Sequence, residues 1–345
     1  MRKIAIAFLI FPIGVVFSQN VKTEVIYTLE EGHTIVTNEN RFALGCAATD
    51  FCLVTKWKGE FYAIHNGKKT GPFADMHQAF AVCKGIETTH IEFESRVFQE
   101  DVTQSKIIAY NDDSKVILKH SGKQYGPFDM LLMFWLSPDK SNFYAVCSLN
   151  KENYFVSSLY GSVKLSGYVT LAHKSSCGSN SLVVVNTGTN IMMDLMNADL
   201  SEMNEEQLQQ YFEQIIKNAE TESNPEVFVV TADNKVFGPY SEQLMDGPVY
   251  SVSGKSNWHM VYEKKLIVNG VQVVDFGEQY VNASQIWVSS DGKQIAWSTW
   301  DKLVFNNGKS YDYPLHINYC LENGKYKLVW IGFDGKSFIK YKCDF

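Results

Sequence analysis

The sequence predicts an all-β chain, a β-propeller of about seven short blades carrying one helical insertion. Three observations predict it. The first is a recurring motif. Asn66-Gly67-Lys68-Lys69-Thr70-Gly71-Pro72-Phe73 returns as Ser121-Gly122-Lys123-Gln124-Tyr125-Gly126-Pro127-Phe128 and as Asp233-Asn234-Lys235-Val236-Phe237-Gly238-Pro239-Tyr240. Asn307-Gly308-Lys309-Ser310-Tyr311 is a looser copy without the Gly-Pro. A supersecondary unit used several times means a propeller, solenoid or array. The second is strand length. Runs such as Lys115–Lys119, Phe143–Cys147, Glu226–Val230 and Leu303–Phe305 are β-branched or aromatic, short, and punctuated by Gly, Asn, Asp and Ser. The third is spacing. Leu266 and Leu303 are 37 positions apart and Gly270 and Gly308 are 38 apart. A four-stranded blade takes ~40–45 residues. Seven such units fit the chain once an insertion is set aside, or six if the first segment is a partial blade.

The turns between these strands are tight. Asn66-Gly67, Asn269-Gly270, Asp291-Gly292, Asn307-Gly308, Asn323-Gly324 and Asp334-Gly335 supply the positive φ that two-residue hairpins need. The Gly-Pro pairs fit a geometric role, since proline cannot donate to a ladder and glycine reaches unusual dihedrals before it. A repeated binding loop would recur in the same way.

Each unit has a second half. Ser137-Pro138-Asp139-Lys140 leads into Asn142–Ala145, Ser289-Ser290-Asp291-Gly292-Lys293 into Gln294–Trp297, and Ser253-Gly254-Lys255 into Trp258–Val261. This Ser-x-Asp-Gly-Lys element followed by a strand resembles the repeat of TolB-type and tricorn-type β-propellers, most closely over Val288–Trp297. The resemblance implies a propeller and does not by itself imply an activity.

One helix stands out. Ser201 and Asn204 offer N-caps, and Leu208, Tyr211, Phe212, Ile215, Ile216 and Ala219 recur at helical spacing. The segment, about 195–224, reads as an insertion between two blades. From Asp194 to Glu226 it carries nine acidic residues against one basic, Lys217. Its apolar face either packs on the propeller or meets a partner. Glu202, Glu205, Glu206, Tyr211 and Phe212 are the candidate partner-binding residues.

The chain ends set the compartment. Arg2 and Lys3 precede an apolar run from Ile4 to Phe17, and Val16-Phe17-Ser18 suits a cleavage site. Residues 1–18 read as a secretory signal peptide, with the propeller domain over 19–345. Fourteen apolar residues interrupted by Pro12 and Gly14 are short for a membrane span. No cysteine at the cut points to a lipoprotein anchor. A Ser-Gln-Asn start after such a peptide resembles exported proteins of the Bacteroidetes. No later apolar run is long enough to cross a membrane as a helix. A terminal outer-membrane barrel strand is suggested by Ile339, Tyr341, Cys343 and Phe345, but the other strands are too short and too charged for a barrel.

After removal of residues 1–18 the chain carries 29 basic and 38 acidic residues, a net charge of −9. That disfavours nucleic acid and anionic lipid as partners. Of seven cysteines, a local Cys46–Cys52 bridge and a Cys320–Cys343 clip are the pairings expected, although spacing does not fix connectivity. An odd count leaves at least one thiol unpaired within the chain.

No catalytic, cofactor or metal motif is present. The eight histidines are scattered, with no His-x-His. No Gly-x-Ser-x-Gly occurs. Asp112-Asp113 reads as a solvated turn, and Met192, Met193 and Met196 read as core filler. Seven tryptophans admit a lectin that stacks sugar rings, but inter-blade packing consumes large aromatics equally well. Asn282-Ala283-Ser284 is a sequon.

The expectation is therefore a non-enzymatic exported propeller that needs no cofactor. It would dock onto another envelope protein, in the periplasm or at the outer membrane of a Gram-negative bacterium. Accessory propeller-like subunits of outer-membrane secretion machinery in Bacteroidetes are one setting it resembles. A carbohydrate-binding propeller is the alternative, and a propeller glycosidase or lyase a weaker one.

Overall fold

The computed structural model describes residues 20–36, 40–46, 49–84, 86, 108–112, 115–175, 179–188, 203–221, 225–251, 257–312 and 314–345. The signal segment, Cys177, His90, Asp113, Ser253 and the Met192–Met196 cluster lie outside these residues. The chain forms two compact units, residues 1–87 with 305–344, and residues 88–304 with 345.

The first unit opens with β1 (Lys22–Thr28), then β2 (Thr34–Ile35), β3 (Arg41–Leu44), β4 (Thr49–Trp57), β5 (Glu60–His65) and β6 (Lys68–Phe73), followed by helix α1 (Met76–Cys83). The second unit carries β7 (Ile108–Asp112), β8 (Lys115–His120) and β9 (Lys123–Phe128). It continues with β10 (Met130–Leu136), β11 (Phe143–Leu149), β12 (Glu152–Ser157) and β13 (Gly161–Lys164). Next come β14 (Tyr168–Lys174), β15 (Ser181–Asn186), helix α2 (Glu205–Thr221), β16 (Glu226–Thr231) and β17 (Val236–Ser241). After them lie β18 (Met245–Tyr250), β19 (Trp258–Tyr262), β20 (Lys265–Val268), β21 (Val271–Asp275), β22 (Ile286–Val288), β23 (Ile295–Ser298) and β24 (Lys302–Phe305). The chain returns to the first unit at residue 305, and β25 (Ser310–Asp312), β26 (His316–Glu322), β27 (Lys325–Phe333) and β28 (Ser337–Asp344) follow.

These strands form seven antiparallel sheets among the described residues, with strands adjacent in sequence pairing as neighbours. Five are simple four-stranded sheets, one is five-stranded because β3 also pairs β4, and β7-β8-β9 is three-stranded as described. The expected count of about seven blades matches. The sheet that ends the chain is completed by its beginning, because β1 pairs β28 in the order β1-β28-β27-β26. The C-terminal strand is thus an interior strand of a four-stranded sheet.

Burial follows the sheets. One core cluster joins β8–β9 to β10–β12 through Leu118, Phe134 and Phe143. The next joins β10–β12 to β14–β16 through Trp135, Phe155 and Val183. Others join β15–β16 to β18–β20 through Val184, Trp258 and Met260, and β19–β20 to β22–β23 through Leu266, Ile286 and Trp297. In the first unit, Phe51, Leu53 and Ile64 pack with Val329, Ile331 and Phe338. Each core therefore lies between consecutive sheets, with large aromatics filling the roughly 10 Å between two sheet faces. This sheet-on-sheet order makes the chain an all-β structure of the propeller class.

The repeat motif has one geometry in three places. The Gly71-Pro72, Gly126-Pro127 and Gly238-Pro239 bonds are cis, and so is Gly247-Pro248. The first three lie in the outermost strand of their sheet, opposite register shifts at Phe61/Ala63, Val116/Leu118 and Val227/Val229. A Cβ on Gly126, which has φ 108°, would sit 2.8 Å from the Val116 carbonyl oxygen, and one on Gly238 equally close to that of Val227. The Gly-Pro is a shaped bulge that lets Phe73, Phe128 or Tyr240 rejoin the ladder.

The second half of the repeat is a polar turn between first and second strands. Ser137, Ser175, Ser251 and Ser289 are all buried there. Their backbone N–H groups donate to the carbonyls of Asn142, Asn180, Asn257 and Gln294 at 2.7–3.0 Å. The Ser289 hydroxyl donates to Asp291 at 2.7 Å and accepts from the Gln294 N–H at 2.9 Å. In the equivalent turn the hydroxyls of Ser137 and Ser141 hold the Asp139 carboxyl down to about 2.

Two structural expectations are corrected. The disulfides are Cys46–Cys320 and Cys52–Cys83, not Cys46–Cys52 and Cys320–Cys343. Cys52 points into the apolar space under α1, where Cys83 lies, and the folded sheets bring Cys46 within 5.5 Å Cα–Cα of Cys320. Cys147 and Cys343 are buried free thiols, pushed up to about 12 by burial. The second correction is the insertion. It lies inside one sheet, between its second and third strands β15 and β16, rather than between two blades.

Candidate functional site

The insertion leaves the propeller through a closed neck. Thr187 N–H donates to the Glu226 carbonyl at 3.0 Å, and Glu226 N–H to Thr187 Oγ1 at 3.1 Å. It is an enlarged hairpin loop on an otherwise regular ladder. Helix α2 starts at Asn204, whose side chain accepts from the Gln207 N–H at 2.9 Å. Gln207 Oε1 in turn accepts from the Asn204 N–H at 3.0 Å. This is the reciprocal arrangement of a capping box. Glu205 and Glu206 occupy the first turn, where negative charge suits the helix dipole. Ser201, the other cap expected, and Glu202 lie outside the described residues.

The side chains of Ile215, Ile216 and Ala219 lie outside the described residues. Leu208 and Tyr211 are half-buried and Phe212 is exposed. Tyr211 and Phe212 meet edge to face with ring centroids 6.4 Å apart. Glu205, Glu206 and Glu213 are exposed around them. The structure therefore brings Tyr211 and Phe212 together and sets Glu205 and Glu206 one to two turns before them. Among the described residues no strand packs extensively on this helix.

Other segments of the second unit reach the same sheet ends. Turns between second and third strands, and connections from one sheet to the next, emerge on one edge of an up-and-down sheet. Asn186 at the neck donates to Glu242 at 2.9 Å, Glu263 N–H to the Leu244 carbonyl at 3.1 Å, and Lys264 to Glu278 at 3.1 Å. Leu244, Tyr280 and Trp300 project from these connections, and Trp300 is fully exposed. The sequence did not single out Leu244 or Tyr280. Nothing local distinguishes an exposed apolar turn residue from a core one.

The remaining tryptophans are spent on packing. Trp135, Trp258 and Trp330 are buried completely, and Trp287 and Trp297 nearly so. Trp57 stacks on His33 at 5.7 Å. His65 bonds Asp50 at 3.0 Å and His120 packs on Phe143, so these equivalent residues support turns and core. Asn282 of the sequon caps a short 3-10 turn. Among the described residues no group of three or more His, Cys, Asp or Glu could hold a metal ion. No helix is long and apolar enough to cross a membrane among them.

No protein-family profile matches the chain, and no curated protein matches it. Among solved structures, it is similar to the β-propeller domain of the Trilobed protease from Pyrococcus furiosus, which is described as having an open velcro topology. The identity is 9%, covering 91% of this chain and 94% of that one, with a TM-score of 0.29. It is also similar to Pyrococcus horikoshii acylaminoacyl peptidase, at 9% identity and a TM-score of 0.24, covering 67% of this chain and 42% of that chain. The chain thus spans less than half the length of the peptidase. At these scores neither likeness bears on mechanism.

Proposed function

We propose that this chain is a non-enzymatic, exported β-propeller that docks onto another protein of a Gram-negative envelope, with α2 as a principal contact. The observation that carries this reading is the exposed ring of Phe212, beside half-buried Tyr211 and among exposed Glu205, Glu206 and Glu213. A helix with that pattern is stabilised chiefly by covering its apolar face, and at Phe212 that face is exposed. The acidic rim favours a partner with a basic margin around an apolar groove. Residues 1–18 act as the export signal in this reading. The likeness of Val288–Trp297 to TolB-type and tricorn-type repeats, and of the mature start to Bacteroidetes exported proteins, supports placement as an accessory of an outer-membrane secretion or assembly machine.

The test places a photo-crosslinking amino acid at Phe212 in intact envelopes, beside a deletion of residues 197–222. One membrane-protein partner crosslinked through Phe212 and lost with the deletion is the expected result. Recovery of monomer alone overturns the docking role. N-terminal sequencing of the exported chain should begin at Gln19. A carbohydrate-binding reading rests on Trp300 alone, since the other tryptophans are packed. Glycan binding abolished by Trp300→Ala would favour it.

A further inference from the structure

Asparagine followed by glycine is a self-reactive pair, because glycine has no side chain to shield its backbone nitrogen from the asparagine amide. Four such pairs connect strands in this chain, Asn66-Gly67, Asn269-Gly270, Asn307-Gly308 and Asn323-Gly324. Three share one backbone. Asn66, Asn269 and Asn323 have φ of 49°, 49° and 52°, and the glycines after them 81°, 82° and 73°. All three asparagines are exposed. Their side chains differ. Asn66 follows β5 and reaches back to β4, where its Oδ1 accepts from the Phe51 N–H at 2.9 Å and its Nδ2 donates to Asp50. Asn269 follows β20 and reaches back toward β19. Its Oδ1 accepts from the Trp258 N–H at 3.0 Å, and its Nδ2 donates to Asn257 at 2.9 Å. At the fourth pair the Asn307 Oδ1 accepts from the Lys309 N–H at 3.0 Å, and the Gly308 N–H donates to the Phe305 carbonyl at 2.9 Å. Asn323 follows β26, which ends its sheet in the order β1-β28-β27-β26, so no further strand of that sheet lies behind it. Its side-chain amide has no hydrogen bond among the described residues.

We propose that Asn323 is a covalent self-modification site, converted with water as the co-reactant to isoaspartate and aspartate with loss of ammonia. The Gly324 nitrogen bonds to Asn323 Cγ and gives its proton to solvent. The Cγ–Nδ2 bond breaks, and ammonia leaves behind a succinimide ring. Water then opens the ring. Cleavage between the nitrogen and Cγ leaves aspartate. Cleavage between the nitrogen and the backbone carbonyl carbon routes the chain through Cγ, as isoaspartate. Nothing is oxidised or reduced. The backbone is common to the three turns, so the cost of opening it is common too, and the side-chain hydrogen bonds set the order of reaction. The product acts on its surroundings. Neighbouring Glu322 pairs with Lys342 at 2.9 Å, and Lys342 also donates to the Cys46 carbonyl at 3.1 Å. A two-residue turn with one extra backbone carbon no longer sets Glu322 opposite Lys325. Modification therefore loosens the β26–β27 hairpin and, within the first unit, a tie between the last sheet and the first. The site is separate from α2 and stands on its own observation.

The full secreted chain is aged in mildly alkaline buffer, where the glycine nitrogen loses its proton more readily. Samples are followed by peptide mapping, with isoaspartate counted by enzymatic methylation. Asn323 should convert first, and Asn66 and Asn269, each with two hydrogen bonds to break, slower by about tenfold or more. Hydrogen exchange in β26 and β27 should rise in the isoaspartate fraction. Asn323→Ser should abolish isoaspartate at this turn and keep the hairpin, because Ser121-Gly122 holds the same turn with φ of 48° and 77°. Asn257→Ala removes the acceptor of the Asn269 amide, so it should speed conversion at Asn269 and leave the rate at Asn323 unchanged. Conversion at Asn66 or Asn269 as fast as at Asn323 overturns the proposal. An Asn323 still unreacted when a free peptide of the same local sequence has fully converted overturns it as well.

Discussion

At the residue scale, small changes separate geometry from contact. Gly126 and Gly238 combine left-handed φ values with a carbonyl where a Cβ would go. Gly126→Ala should cost about 2 kcal/mol, read as a lowered urea midpoint with unchanged slope. The same change at Gly122, where a Cβ meets nothing, should cost only the backbone strain, about 1 kcal/mol. Trp135 and Trp300 make a second contrast. Trp135→Ala should lose about 3–5 kcal/mol, because it empties a core between two sheets. Trp300→Ala should stay within about 0.5 kcal/mol, because the ring touches solvent. His259 is fully buried, and burial pushes it to about 4, while its Nε2 bonds the Ala283 carbonyl at 3.0 Å. An unfolded histidine titrates near ~6.5. Between these values the unfolded chain binds more protons, so stability is full above about 6.5 and falls as the pH drops toward 4. The loss is on the order of 3 kcal/mol. Chemical denaturation of wild type and His259→Gln at pH 7.5 and 5 checks it, the variant showing the smaller pH effect.

At the scale of elements, both halves of the repeat were legible because they are made by neighbours in sequence. The buried serine of each first turn bonds five or six residues ahead. The Asn-Gly turns divide further than the sequence showed. Asn66, Asn269 and Asn323 share positive φ with the following glycine, while at 291–292, 307–308 and 334–335 only the glycine does. Helix α2 was legible from its period and its cap. That it interrupts a blade was not, because β15 and β16 read as strands whichever sheet they join. Exposure of Trp300 was equally illegible. Trp297, three positions earlier, lies in β23 and packs against Phe276 at 5.5 Å, whereas Trp300 lies in the turn that follows.

For the whole chain, the long-range ties carry the largest untested energies. Within the first unit, β1 completes the sheet of β26–β28, and Cys46–Cys320 joins residues 274 positions apart. Asn318 adds a hydrogen bond to the Leu44 carbonyl at 2.8 Å. Removing Cys46–Cys320 should cost roughly 2–5 kcal/mol, and more than removing Cys52–Cys83, which spans 31 positions. Non-reducing peptide maps should recover these two pairs, and denaturation of the two double-serine variants should rank them.

The amino-acid sequence by itself determined the strand repeat, a blade number of six or seven, the acidic helix and the absence of a recognisable catalytic motif. Those properties reside in residue spacing, turn chemistry and side-chain periodicity, which act over a few residues. Only the tertiary structure decided which cysteines meet, which tryptophan is exposed and where the helix emerges. Each of those depends on what a distant segment covers, and burial by a distant segment leaves no local mark.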